Sequence, residues 1–302
     1  MTSEISDQER PVEDYYSPEE VREGLEALST ADWARIQLAG RHFAARSDMA
    51  GDGTVAFEAL APDVSTVDDN GTFDVYLRSS YELGPFVDSL PLLQQNALDF
   101  TGANLSLAKV LGLNDAILNG VATPSSTIDD FVHGTFDDDR GPVIRLYWSF
   151  FHRIPDKGGL DYWITKKTTG TSLNAIATSF AKSSEFKNTY GSLGDSAFVT
   201  LVYQNVLGRN PDAAGLDYWV GRLGTGVSRG EVMTAFSESS EGRRIMRPEV
   251  DTILVFLGMI RALPNQAAFD YDTALLKGAG GQPTEVLILA LLKTSTYAAR
   301  FA

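Results

Sequence analysis

The 302-residue sequence contains no cysteine. Disulfides, thiolate metal sites such as zinc ribbons or iron–sulfur clusters, and a cysteine nucleophile are therefore excluded. Histidine is almost as scarce: His42, His133 and His152 are the three, far apart in sequence. That argues against a histidine-rich catalytic metal site. Basic charge is in deficit too, with 25 Lys and Arg against 40 Asp and Glu and a formal charge of −15. A field of that sign repels phosphate backbones and anionic lipid, so nucleic acid is not an expected partner. Long apolar runs are missing. The best, Val286 to Leu292, falls far short of the ~18–20 residues that cross a bilayer, so no transmembrane segment is expected. A secretory signal needs a basic start followed by an apolar stretch. Residues 1–26 instead hold nine acidic residues against Arg10 and Arg22. The catalytic signatures are absent as well: there is no Gly-x-Ser-x-Gly, no Walker-type loop and no His-Glu-x-x-His. Carboxylates abound, but nothing singles out a catalytic pair, and the expectation is a protein that is not an enzyme.

What is present is enough apolar material for a core, 43% of residues with 10% aromatic. Residues 1–14 read as a mobile acidic tail, followed by a helical and partly irregular domain over 15–135. Ser17-Pro18-Glu19-Glu20 and Ser29-Thr30-Ala31-Asp32 each have the form of a helix start. Asp48, Asp52, Gly53, Val55 and Glu58 fall near calcium-loop positions. However, Ala50 occupies a ligand position and the glutamate arrives one residue early, so ordinary turns account for the segment better. A polar stretch from Thr123 to Arg140 reads as a boundary.

Beyond residue 140 the chain repeats itself. Arg153-Ile154-Pro155-Asp156-Lys157-Gly158-Gly159-Leu160-Asp161-Tyr162-Trp163 returns as Arg209-Asn210-Pro211-Asp212-Ala213-Ala214-Gly215-Leu216-Asp217-Tyr218-Trp219. The register holds without a gap from Val143/Val199 to Glu185/Glu241, with 18 of 43 positions identical, which makes this a true internal repeat. Val143, Leu146, Tyr147, Phe150 and Phe151 have the spacing of one helix face, as do Val199, Val202, Tyr203, Val206 and Leu207. Proline then forbids continuation, and the aspartates stand where caps and turns want acceptors. A third helix follows Ser172 or Ser228, and each copy closes on Ser-Ser-Glu. A decayed third copy carries Ile253, Phe256, Leu257 and Ile260, then Pro264, then Phe269-Asp270-Tyr271. The expected architecture is all-α: three helical repeats at 141–190, 197–246 and 251–302 within a domain spanning 136–302.

The Arg-x-Pro-Asp-x-x-Gly-Leu-Asp-Tyr-Trp segment, followed by Phe-x-x-Ser-Ser-Glu at Phe180 and Phe236, resembles the bacterial uncharacterised tandem domain family numbered 4214, over residues ~141–302. The pattern is also similar to phycobilisome linker domains and to surface-layer anchoring regions. Family members stand in secreted or surface proteins, often beside glycine-aspartate calcium repeats, which this chain lacks. The resemblance implies a helical scaffold or anchoring module at the cell surface or outside the cell, with a cytoplasmic linker-like assembly protein as the alternative. An unrecognised carbohydrate-active enzyme is the third reading. Expected partners are a cell-surface polysaccharide or a partner protein, with self-assembly as a further candidate.

Two constellations in the repeats are candidate sites. Tyr162 with Trp163, and Tyr218 with Trp219, are either sugar-stacking platforms or core residues that lock a helix to its neighbour. Asp156 with Asp161, and Asp212 with Asp217, offer part of the six to eight oxygens that calcium requires, or else they are caps and turn formers. Calcium is the one candidate cofactor. His152 has no counterpart in the second copy, where Gly208 stands, and reads as a surface histidine.

Overall fold

The computed structural model describes residues 89–277 and 283–301, together with 83, 85, 86 and a two-residue strand pair. In that pair β1 (Asp48–Met49) runs antiparallel to β2 (Val55–Ala56), with Met49 opposite Val55. The two helix starts at Ser17 and Ser29, and the loop from Asp48 to Glu58 apart from the strand residues, lie outside the described residues. The rest of the described chain is helical, and the fold is all-α.

In chain order the helices are α1 (Ser89–Thr101), α2 (Leu107–Leu118) and α3 (Pro124–Phe131), which runs through a π-helical turn, Val132–Phe136, into α4 (Asp137–Phe151). There follow α5 (Lys157–Thr168), α6 (Leu173–Ala181), α7 (Ser184–Tyr190), α8 (Asp195–Leu207), α9 (Ala213–Gly224) and α10 (Arg229–Ser237). Next, α11 (Ser240–Val255) continues into a second π-helical turn, Phe256–Ile260. The chain ends with α12 (Gln266–Lys277), α13 (Thr284–Leu292) and α14 (Ser295–Ala298).

One local plan recurs. A helix ends at a residue in the left-handed region: Gly102, His152, Gly208 or Arg261. Four residues later a polar side chain caps the next helix, since its oxygen can satisfy an amide that the first turn leaves unpaired. Ser106, Asp156 and Asp212 do this, and the Asn265 side chain accepts from the Ala268 amide at 2.9 Å. The helix so started is 12 residues long every time: α2, α5, α9 and α12. Three of them are followed by a glycine of positive φ (Gly120, Gly170, Gly226), then by a Thr123, Ser172 or Ser228 cap that opens α3, α6 or α10. The motif Arg-x-Pro-Asp marks this plan at two places. Its appearance at 89–131 has no counterpart in the sequence pattern.

The elements meet in pairs. α6 packs on α10, α3 on α13, and α4 on α11. Where α10 crosses α6 the backbones approach so closely that a Cβ at Gly230 would stand 3.0 Å from the Ala177 carbonyl. Gly258 in the second π turn lies against the Phe100 ring of α1, leaving no room for a side chain. The two ends of the described chain also meet: Asn96 Nδ2 donates to Tyr297 Oη at 3.0 Å and Arg300 pairs with Asp99 at 2.7 Å. One apolar core runs from Leu92 to Tyr297, and a small second cluster, Leu93, Val110 and Ile117, lies under α2.

The Thr123–Arg140 stretch is helical from Pro124 onward. Two of its polar residues have charged partners: His133 meets Asp251 of α11, and Asp137 lies 3.6 Å from Arg145 on α4 itself. The backbone kinks at Gly134 inside the π turn (φ −88°, ψ −142°), beside 135/136, and α11 runs through 246–251.

Candidate ligand cleft on the repeat surface

The repeated motif divides into residues that hold the turn and residues that face out. Asp156 Oδ1 accepts from the Gly159 amide, and Asp212 Oδ1 from the Gly215 amide, both at 2.7 Å. These aspartates are helix caps. Glycine follows three residues later because a tyrosine from the preceding helix abuts the helix start. A Cβ at Gly159 would lie 2.8 Å from Tyr147 Oη, and one at Gly215 would lie 2.4 Å from Tyr203 Oη. Burial pushes the Tyr147 phenol up to about 12, with the Asp156 carboxylate adding to it, and burial raises Tyr203 as well. The motif arginine closes each unit. Arg153 grips Glu185 through two bonds of 2.8 and 3.0 Å, and Arg209 grips Glu241 at 2.7 and 2.9 Å. The Glu241 carboxyl is held below its ordinary range by this contact. Arginine and Ser-Ser-Glu thus form one structural clasp across 32 residues.

The two aromatics of each pair differ in exposure. Trp163 and Trp219 are half-buried and lie against Phe180 and Phe236, with ring centroids 5.4 and 5.2 Å apart. Tyr162 and Tyr218 stand out in solvent, 53% and 55% exposed, each edge-on to its tryptophan. Lys166 and Arg222 sit over the two tyrosine rings at 5.5 and 5.9 Å.

In the second copy these side chains border a cleft of about 350 Å³. Tyr218, Trp219 and Arg222 of α9 form one wall. Glu231 and Thr234 of α10, with Glu238 at its C-cap, form the other, and Asn174 of α6 reaches in from the first copy. Both carboxylates are already engaged. Glu238 takes a two-point contact from Arg145 at 2.8 and 2.9 Å and a further bond from Arg243 at 2.8 Å. Glu231 accepts from the Ser228 amide and hydroxyl at 2.8 Å, and these bonds lower its pKa. At the equivalent positions the first copy has Ala175 and Lys182, so its surface differs in charge.

The calcium candidates are not brought together. Asp156 and Asp212 are caps, Asp161 pairs with Lys157 at 2.6 Å, and Asp217 is exposed on α9. Among the described residues no group of three or more His, Asp or Glu side chains could hold a metal ion. His152 is exposed, its Nε2 2.8 Å from the Asn205 carbonyl.

Sequence reading missed a second polar cluster. His133, in the first π turn, lies 3.1 Å from Asp129 Oδ1 and 3.3 Å from Asp251 Oδ1. Bonds to Asp129 and then Asp251 raise its pKa to about 10 against the opposing effect of burial. Burial alone would raise Asp251, but His133, Thr284 and Arg247 outweigh it and the net shift is downward. This cluster ties the α3–α4 run to α11, and Arg247 Nη2 also lies 3.3 Å from His133 Nε2. No local motif announces it, because Asp251 is 118 residues from His133.

Residues 137–187 and 177–245 match the family model described as a domain of unknown function, DUF4214. The two matches together take in α4 to α10, which includes both clasps and the cleft. No curated protein and no solved structure matches the chain. No described helix is long and apolar enough to cross a membrane.

Proposed function

We propose that this chain is a non-enzymatic surface or extracellular scaffold that binds a cell-surface polysaccharide through the cleft between α9 and α10. The observation that carries this reading is the exposed Tyr218 ring beside Trp219, bordered by Arg222, Asn174 and Thr234. An apolar ring face flanked by hydrogen-bonding groups suits a sugar, whose axial C–H face stacks while its hydroxyls bond to the rim. Binding rather than hydrolysis is favoured because Glu231 and Glu238 are each committed to a structural partner, which leaves neither free to act as acid or nucleophile. Packing of Trp219 on Phe236 pre-orients the platform at no further entropic cost.

The test is co-sedimentation and calorimetry with envelope polysaccharide from the producing cell. Tyr218→Ala and Arg222→Ala alter the cleft rim without touching the core. Each should weaken binding at least ~10-fold, about 1.4 kcal/mol, at unchanged helicity. Absence of binding, or binding that both variants retain, would overturn the proposal and shift weight to protein assembly. Release of reducing ends would move it to an enzyme.

A further inference from the structure

The four 12-residue helices that follow a cap provide an internal control on one another. Numbered from the cap, the first helical position is Lys157 in α5, Ala213 in α9 and Gln266 in α12, but Leu107 in α2. The fifth is Asp161, Asp217 and Asp270 in the three, and Leu111 in α2. The last is Thr168, Gly224 and Lys277, and Leu118 in α2. All three leucines of α2 are exposed, at 72%, 41% and 49%, and Val121 just beyond is 80% exposed. At a spacing of four and seven residues the leucines fall on one side of the helix. Three sibling helices show that this scaffold position needs no apolar residue there. The leucines of α2 are therefore not explained by packing within the described fold.

A further difference points the same way. At the sixth position the other helices carry Tyr162, Tyr218 and Tyr271, all exposed, whereas α2 carries Gly112. Its φ is not in the left-handed region, and a Cβ there would meet nothing within 4 Å. Glycine inside a helix costs about 1 kcal/mol relative to alanine, and nothing in the described surroundings requires it. A bulky ring is absent from the one helix whose flank is apolar.

We infer that the α2 face is an interface between two copies of this chain. Leu107, Leu111, Leu118 and Val121 together expose on the order of 450 Å² of apolar surface. Two such faces joined would bury roughly 900 Å² of apolar area. That is the apolar share of a standard ~1,600 Å² interface, whose non-polar fraction is about 56–65%. Charge also selects this face for self-association. A chain of net −15 repels its own copy, and α2 holds a single Lys109 and a single Asp115, with no acid in its first turn. An isologous contact there brings no net like charge together. This interface is independent of the cleft on α9 and α10.

The full-length chain tests it, by sedimentation velocity from about 1 to 200 μM. The variant Leu107→Lys with Leu111→Asp and Leu118→Thr gives α2 the residues of α5 at those positions, where Lys157 and Asp161 pair at 2.6 Å. It should keep the helicity and thermal midpoint of the parent while weakening dimerisation ~100-fold. Because the chain has no cysteine, Leu111→Cys adds a single thiol, which should give a disulfide-linked dimer under mild oxidation. Thr168→Cys, at the matching end of α5, should not. A monomeric parent across the whole range overturns the inference, as does a dimer that survives the triple substitution. A monomer whose α2 amides are nevertheless protected from exchange, with protection lost in the triple variant, also overturns it and assigns the cover to residues 1–82 of the same chain.

Discussion

Replacing His133 by glutamine probes the joint between the π turn and α11, and its signature is a dependence on pH. Bonds from Asp129 and then Asp251 lift the imidazole from its ordinary 6.5 to about 10. A group whose folded pKa is raised stabilises the fold fully below its unfolded value, and that stability is lost as pH climbs through the folded value. The relevant window is therefore from about 6.5 to about 10. At ~1.4 kcal/mol for each tenfold change in proton affinity the whole span reaches roughly 5 kcal/mol. Nearly a quarter of the side chain still meets water, which screens the pair, and about 2–3 kcal/mol survives. His133→Gln should then cost about 2–3 kcal/mol more at pH 6 than at pH 9.5. Urea unfolding followed by circular dichroism reads this directly, and in thermal melts it corresponds to a difference of roughly 5–10 °C. Asp251 does not confuse the result. Its pKa is depressed, so its contribution is present above the ordinary carboxylate range and is lost only as the solution becomes acidic. A penalty that stays constant between pH 6 and 9.5 would refute the pairing of His133 with Asp129 and Asp251.

Other perturbations read the repeat itself. Gly215→Ala places a methyl 2.4 Å from Tyr203 Oη and should cost about 1–3 kcal/mol, with Tyr203→Phe recovering part of it in a double-mutant cycle. If the two substitutions simply add, the close approach is not what requires glycine. Asp212→Ala removes the α9 cap and should lower stability by about 1 kcal/mol, while Asp212→Asn should lose little. Arg209→Ala breaks an exposed clasp, so urea titrations should show only a small loss of stability, one that shrinks further in high salt. Calcium at millimolar concentration should leave the thermal midpoint within about 1 °C, because Asp156 and Asp212 are engaged as caps and Asp161 by Lys157. A larger rise that a chelator reverses would restore the calcium reading.

The sequence by itself determined what is local. Helix faces, the stop at Arg-x-Pro-Asp, and the caps at Ser172 and Ser228 are written in spacings of three and four residues and in single polar side chains whose partners lie within one turn. The adjacency of Tyr218 and Trp219 is legible in the sequence, but only the fold shows that Trp219 packs on Phe236 while Tyr218 faces solvent. Tertiary structure decided everything that depends on partners far along the chain. Arg153 and Glu185 looked like separate motif ends until the fold joined them. The partner of His133 in the polar run after Thr123 is Asp251, 118 residues away, which no local pattern reveals. The helices over 89–131 repeat the plan of the later units without their Arg-x-Pro-Asp motif, since a left-handed residue, a cap and a 12-residue helix can be made from Gly102, Ser106 and leucines as well. The cleft needed Asn174 from one copy and Tyr218 from the next, a juxtaposition fixed only when α6 packs on α10. Local backbone chemistry acts over a few residues and is visible in order of sequence; a site assembled from separate helices exists only once burial of their apolar faces has brought them together.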